Sequence, residues 1–197
     1  MIRYPLARNG IVQTVQGEGT LLGTPMVFVR LGGCSIGCSQ CDTDYRTVEH
    51  LTVAEIQSRV RSVRGDAEWI AVTGGEPADY DLCELLEGMR LCGRVMLATS
   101  GHKHLGGAGS LCDFISVSPH GTPDDLKVSG ATQINLVPLL NGLRLDDWEI
   151  FSGTKFQHRW VTPIFSNLVE TAECRAFVER HRGWRLGVQA QNVWGVW

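Results

Sequence analysis

Apolar runs that alternate with helical patterns predict an α/β fold, an incomplete and open (β/α) barrel of about six mostly parallel strands. Two observations carry that reading beside the alternation itself. The runs are short and nearly all apolar, as strands buried on both faces are, and several end in Gly, Ser or Pro. The chain has 197 residues, fewer than the roughly 250 of a complete eight-unit barrel. A sheet of this kind places its ligand site at the carboxyl ends of its strands.

In chain order, the first buried strand is expected at 25–31 (PMVFVRL), and a helix at 52–64 opens on the capping box Thr52-x-x-Glu55. A second strand, 69–73 (WIAVT), is followed by a helical pattern at 80–91 (YDLCELLEGMRL). Strands at 94–99 (RVMLAT), 113–118 (DFISVS), 133–137 (QINLV) and 158–162 (HRWVT) follow. A helix over 168–182 and a last strand at 185–189 close the pattern. No linker composition, repeat or boundary interrupts it, so residues 1–197 read as a single domain.

With 43% hydrophobic and 20% charged residues, the composition is that of a globular protein. A net charge of -3, from 18 Lys and Arg against 21 Asp and Glu, argues against nucleic acid as a partner. No apolar stretch of about 18 residues could span a membrane, and Met1-Ile2-Arg3-Tyr4-Pro5 lacks a secretory signal pattern, so a cytoplasmic location is expected. Cys83, Cys92, Cys112 and Cys174 are scattered and read as core, whereas Cys34, Cys38 and Cys41 crowd together. Trp69, Trp148, Trp160 and Trp184 are expected to pack inside, with Trp194 and Trp197 in a tail. Gly101-His102-Lys103-His104-Leu105-Gly106-Gly107 lacks the ending of a phosphate loop and reads as an exposed loop.

The cysteine cluster, Cys34-x-x-x-Cys38-x-x-Cys41, follows the strand 25–31 through Gly32-Gly33. A structural zinc site needs four closed ligands; His50 could be the fourth, though its spacing is not that of a finger. A 4Fe-4S cube normally takes four thiolates, so three would leave one iron open to another molecule. A zinc-binding interaction protein and an iron–sulfur enzyme are thus both alternatives at this point.

The cluster spacing resembles that of the radical S-adenosylmethionine superfamily, and Thr73-Gly74-Gly75-Glu76-Pro77 resembles its Gly-Gly-Glu segment. The segments Val15-Gln16-Gly17-Glu18-Gly19, Gly23-Thr24-Pro25, Phe28-Val29-Arg30-Leu31 and Cys41-Asp42-Thr43 together look like the 7-carboxy-7-deazaguanine synthase family. That resemblance implies conversion of 6-carboxy-5,6,7,8-tetrahydropterin to 7-carboxy-7-deazaguanine with loss of ammonia, in 7-deazapurine (queuosine or archaeosine) biosynthesis. Its cofactors would be a 4Fe-4S cluster on Cys34, Cys38 and Cys41, S-adenosyl-L-methionine, and Mg2+ on Thr43. Cofactor contacts are implied at Gln40, Asp42, Gly75, Glu76, Ser118, Pro119 and His120, and substrate contacts at Val15, Gln16, Gly17, Arg30, Thr73 and the Trp197 carboxylate. The guanidinium fork of Arg30 suits a carboxylate. No catalytic side chain is implied beyond the radical that the cofactor supplies.

Three departures from the family pattern stand out. His120 replaces a Lys, Thr162-Pro163 stands where Gln-Pro is common, and Gln189-Ala190-Gln191-Asn192 stands for Gln-Thr-His-Lys. The resemblance further implies a homodimer and a reductant such as flavodoxin. Another radical S-adenosylmethionine enzyme, such as a glycyl-radical activating enzyme, would share the three cysteines and Gly-Gly-Glu but has no need of Gln16-Gly17-Glu18-Gly19 and Arg30.

Overall fold

The apolar runs become hydrogen-bonded strands at nearly the expected bounds in a computed structural model, which describes residues 2–38, 41, 43–128, 130–151, 156–165 and 167–196. The described elements include nine strands: β1 (Arg3–Val15), β2 (Pro25–Leu31), β3 (Thr47–Thr52), β4 (Trp69–Gly74), β5 (Arg94–Thr99), β6 (Phe114–Val117), β7 (Ala131–Leu136), β8 (Phe156–Val161) and β9 (Trp184–Leu186). Five α-helices accompany them: α1 (Val53–Val63), α2 (Cys83–Arg90), α3 (Pro138–Asn141), α4 (Leu168–Arg180) and α5 (Ala190–Trp194). The chain forms two compact units, one of residues 1–14, 25–99 and 105–115, the other of 15–24, 100–104 and 116–197.

In the first unit the strands lie in the order β3-β1-β2-β4-β5, with β2, β4 and β5 parallel and β1 antiparallel to β3. Side chains alternate across a strand, and the register pairs Val27 with Ile70 and Val29 with Val72, then Ile70 with Val95 and Val72 with Leu97. These rows form one core with Ile56 and Val60 of α1 and Leu85, Leu86 and Met89 of α2. By the same alternation Phe28, Arg30, Ala71 and Thr73 lie on the opposite face. Thus the helices cover one face, and Arg30 and Thr73, which pair in register, sit at the carboxyl ends on the other.

The expected capping box closes both ways: Glu55 N–H donates to Thr52 Oγ1 at 3.3 Å, and Thr52 N–H donates to Glu55 Oε2 at 2.7 Å. Gly88 lets α2 lie against α1, since a Cβ there would strike Val53, and Gln57 Nε2 donates to the Gly88 carbonyl at 2.8 Å. Helix α2 begins later than expected, at Cys83, whose N–H donates to Asp81 Oδ1 at 3.1 Å.

The second unit holds the end of β6, Ser116 and Val117, and parallel to it β7-β8-β9. Ile134 and Leu136 of β7 and Val161 of β8 are fully buried, and so are Cys174 and Phe177 of α4. Trp148 and Phe151 lie tilted at 5.6 Å between centroids, and Phe151 meets Phe156 edge-on at 5.5 Å, as Phe177 does Trp184. The alternate positions of β7, Gln133 and Asn135, are polar and just as buried. Helix α4 is capped by Asn167, whose Oδ1 accepts from Glu170 N–H at 3.0 Å. Glu170, 4% exposed, accepts in turn from the Leu139 and Ile164 N–H groups, each at 2.7 Å.

Trp69, Trp148 and Trp184 are buried as expected, Trp160 is half-buried, and Trp194 is exposed; Trp197 lies outside the described residues. Cys92 and Cys174 are core, while Cys83 and Cys112 are half-buried. In the Gly101–Gly107 stretch, Gly101 is buried and accepts from the N–H groups of Lys127 and Val128, so only its later part is an exposed loop. Among the described residues no helix is long and apolar enough to cross a membrane.

Candidate active site

In the first unit the end of β2 and the start of the cysteine loop are bonded to the Thr-Gly-Gly-Glu segment. Gly75 N–H donates to the Leu31 carbonyl at 2.9 Å and Glu76 N–H to the Gly33 carbonyl at 3.2 Å. Gly33, at φ +78, turns the chain out of β2, and its own N–H donates to the Tyr45 carbonyl at 2.7 Å. The Tyr80 hydroxyl donates to the Gly32 carbonyl at 2.8 Å, and Ser35 gives Asp79 both its N–H (2.8 Å) and its hydroxyl (2.7 Å). A side chain at Gly75 would land on the Gly33 carbonyl, which is why the backbone there must be bare.

The three loop cysteines are in no disulfide; Cys34 and Cys38 are half-buried and Cys41 is exposed. Burial, and after it the neighbouring Cys41 and Cys34, push the Cys38 thiol above its ordinary range. Soft sulfur donors such as these three thiols suit iron–sulfur ligation. The donor set therefore fits such a cluster. Cys41 N–H donates to the Cys38 carbonyl at 3.3 Å, and the Cys41 thiol to the Thr43 carbonyl at 3.6 Å. Among the described residues no group of three or more His, Cys, Asp and Glu side chains is gathered as if for a single metal ion.

Glu76, 2% exposed, is the buried carboxylate at this end of the sheet. Its Oε1 accepts from Ala78 N–H at 2.9 Å and from the Thr99 hydroxyl of β5 at 2.5 Å. Both bonds hold the plane of the carboxylate. Arg30 and Thr73 are half-buried, and the Arg30 guanidinium lies 4.9 Å from the Phe28 ring centroid.

In the second unit, the loop after β1 folds back on itself, Gln16 N–H to the Thr24 carbonyl at 2.9 Å and Gly23 N–H to the Gln16 carbonyl at 2.8 Å. Three carboxamides converge on Glu18. Asn135 Nδ2 donates to Oε2 at 2.9 Å, while Gln191 Nε2 (2.8 Å) and Gln189 Nε2 (3.3 Å) donate to Oε1. Beside it Gln133 accepts from Thr20 N–H at 2.9 Å and donates to Ser116 Oγ at 2.8 Å. Ser118 and His120 are half-buried after β6, and the carbonyl of buried Pro119 accepts from Asn141 Nδ2 at 2.8 Å.

The structure thus ties Gly33, at the start of the cysteine loop, to Glu76 in the first unit, where Cys34, Cys38, Cys41, Gly75, Arg30 and Thr73 also lie. Val15, Gln16 and Gly17 belong to the second, as do Ser118, Pro119 and His120. Gln40, Asp42 and Trp197 fall outside the described residues. Sequence reasoning passed over Thr99, Gln133, Asn135, Gln189 and Gln191 as site residues. The available signal was polar residues inside or just beyond apolar runs, Thr99 in RVMLAT and Gln133 and Asn135 in QINLV.

No protein-family model matches the chain. It is similar to the 7-carboxy-7-deazaguanine synthase of a Synechocystis strain, 30% identical over 99% of this chain and 94% of that protein. The 7-carboxy-7-deazaguanine synthase of Bacteroides thetaiotaomicron is also 30% identical, over 94% and 95%. Among solved structures, QueE from Escherichia coli shares the fold with a TM-score of 0.74 at 23% identity, over 96% of this chain and 95% of that one. That likeness bears out an α/β fold of mostly parallel strands, to which antiparallel β1 and β3 are added. Full-length relatives at this identity decide the matter: the chain belongs to the 7-carboxy-7-deazaguanine synthase family.

Proposed function

We propose that the chain converts 6-carboxy-5,6,7,8-tetrahydropterin into 7-carboxy-7-deazaguanine, with residues 1–197 working as one radical S-adenosylmethionine domain. The observation that carries this reading is the bond from Glu76 N–H of the Gly-Gly-Glu segment to the Gly33 carbonyl at the start of the cysteine loop, beside that from Gly75 N–H to the Leu31 carbonyl at the end of β2. Membership of the family brings radical chemistry, with a 4Fe-4S cluster and S-adenosyl-L-methionine. When bound, these supply the hydrogen-abstraction chemistry that precedes ring contraction.

The chain's own residues bind and orient. Cys34, Cys38 and Cys41 would hold the cluster through three thiolates, one fewer than such a cube normally takes. Glu76, its plane fixed by Thr99 and Ala78, accepts hydrogen bonds from the cofactor's ammonium beside Gly75. Ser118, Pro119 and His120 provide further cofactor contacts, as do Gln40 and Asp42. Arg30 clamps the substrate carboxylate while Val15, Gln16, Gly17 and Thr73 contact the pterin. Thr43 offers a hard oxygen to Mg2+. Family resemblance and residue chemistry support these roles. On the same grounds we place the protein in the cytoplasm as a homodimer, reduced by a low-potential donor such as flavodoxin.

Anaerobic reconstitution followed by dithionite, S-adenosylmethionine, Mg2+ and 6-carboxytetrahydropterin tests the reading by mass spectrometry. The expected product is 7-carboxy-7-deazaguanine, and Cys38→Ala should lose both iron and product. Methionine and 5'-deoxyadenosine formed without the deazaguanine would reject the substrate; normal turnover by Cys38→Ala would reject the ligand set.

A further inference from the structure

The three amides that meet at Glu18 are not free to turn. Asn135 Oδ1 accepts from the Thr162 hydroxyl at 2.7 Å, and Gln189 Oε1 accepts from Phe165 N–H at 3.0 Å, so both present their NH2 groups to the carboxylate. Asn135, Thr162 and Gln189 are 1%, 0% and 6% exposed, so this arrangement is built into the interior of the second unit. Gln191 differs. Its Oε1 is buried with no hydrogen-bond partner, which leaves the bond from Nε2 to Glu18 to orient the side chain.

The same loop also grips the C-terminal segment through its backbone. Ala190 N–H donates to the Gly17 carbonyl at 3.0 Å, and a Cβ on Gly17 would run into the Gln191 side chain. Only an acceptor with several lone pairs and no N–H can serve three NH2 donors at once, which makes a carboxylate the fitting group at position 18. A glutamine there would turn one NH2 group against another.

We propose that Glu18 is a positioning residue: through Gln189 and Gln191 it holds segment 189–196 on the Gln16–Gly19 loop and so fixes the substrate-contacting face of that loop. The proposal rests on the substrate role assigned above to Val15, Gln16 and Gly17. Its effect on turnover is indirect, since Glu18 acts through the loop and the segment it ties together.

Hydrogen exchange on the full chain, read by mass spectrometry beside steady-state kinetics with 6-carboxytetrahydropterin, tests it. In Glu18→Gln, loss of a charge-assisted bond should speed exchange in peptides covering 15–24 and 189–196 by about tenfold or more, leaving β7 and α4 unchanged. KM should rise about tenfold with kcat nearly constant, the mark of lost uniform binding. Gln191→Leu should do the same, and the double variant should be no worse than either single one. Unchanged exchange at 189–196 overturns the proposal, as does faster exchange throughout the second unit with an unchanged KM, or additive effects in the double variant. A wild-type enzyme that leaves the pterin untouched while Glu18→Gln still loosens 189–196 would reject the substrate assignment and support the clamp.

Discussion

Replacing Gly75 by alanine asks whether the end of β4 is what holds the cysteine loop. The new methyl would fall on the Gly33 carbonyl and lie 3.0 Å from Cys34 Cβ. The first obstacle is backbone, which cannot swing aside as a long side chain can. Relief requires Gly75 and the Gly33–Cys34 peptide to draw apart, and that strains two bonds, Gly75 N–H to Leu31 O and Glu76 N–H to Gly33 O. Each is worth about 1 kcal/mol, and overpacking adds about 1–3 kcal/mol. The loss of about 3–5 kcal/mol is a large part of the roughly 5–15 kcal/mol that stabilises a domain. Urea unfolding of the cluster-free protein should therefore show a much lower midpoint. Iron and sulfide content after anaerobic reconstitution should fall as well, because Cys34 moves with Gly33. Gly107→Ala is the control: a Cβ there meets nothing within 4 Å, and its stability should stay within about 0.5 kcal/mol of wild type. If Gly75→Ala matches that control and takes up full iron, the loop is held by something else and the reasoning fails.

Three further outcomes are expected. Thr99→Val removes the hydroxyl that reaches buried Glu76 at 2.5 Å. A bond to a charged group contributes about 1.5–3 kcal/mol, so S-adenosylmethionine should bind the reconstituted protein about ten to a hundred times more weakly, while Thr99→Ser binds normally; equal affinities in all three would remove Thr99 from the site. Arg30→Lys exchanges a planar fork for a point charge and should raise KM for the carboxylated pterin about tenfold, with a smaller change for an analogue lacking the carboxylate. An equal loss for both would mean that Arg30 does not read that group. Burial, followed by Glu170 and Glu173, pushes the Cys174 thiol up to about 12 from the ordinary 9.0. The folded state then keeps this proton more tightly than the unfolded chain, so the contribution is complete below about pH 9 and lost as pH rises through about 12. Over that range wild-type stability should fall more steeply than that of Cys174→Ala, by up to about 1.4 kcal/mol per pH unit; parallel curves would refute the burial argument.

Strands buried on both faces were the legible part of this fold, because such burial leaves an unbroken apolar run in the sequence. Strands β2 and β5 have the expected bounds, 25–31 and 94–99. β1 was hidden by Pro5 and by Asn9-Gly10, which read as turn signals. The strand absorbs them: Asn9 takes φ 54 inside it, and the pairing with β3 slips between Leu6 and Ala7. β3 (TVEHLT), largely exposed and polar, has no apolar run to show.

The candidate site divides in the same way. Its cysteines, Gly75 and Glu76 could be found because they lie in two short segments whose spacing is itself the signal. The partners of Glu18 lie 117, 171 and 173 residues away, and no local pattern ties them to it. What could have pointed to them is a conflict of rules. QINLV alternates polar and apolar residues like a strand with one wet face, yet Gln133 and Asn135 are 2% and 1% exposed. A strand that places amides where only burial awaits them needs partners for those amides inside the protein. Here the partners of Asn135 are Glu18 and Thr162, and those of Gln133 are Thr20 and Ser116, so the polar face of β7 marks where the Gln16–Gly19 loop docks.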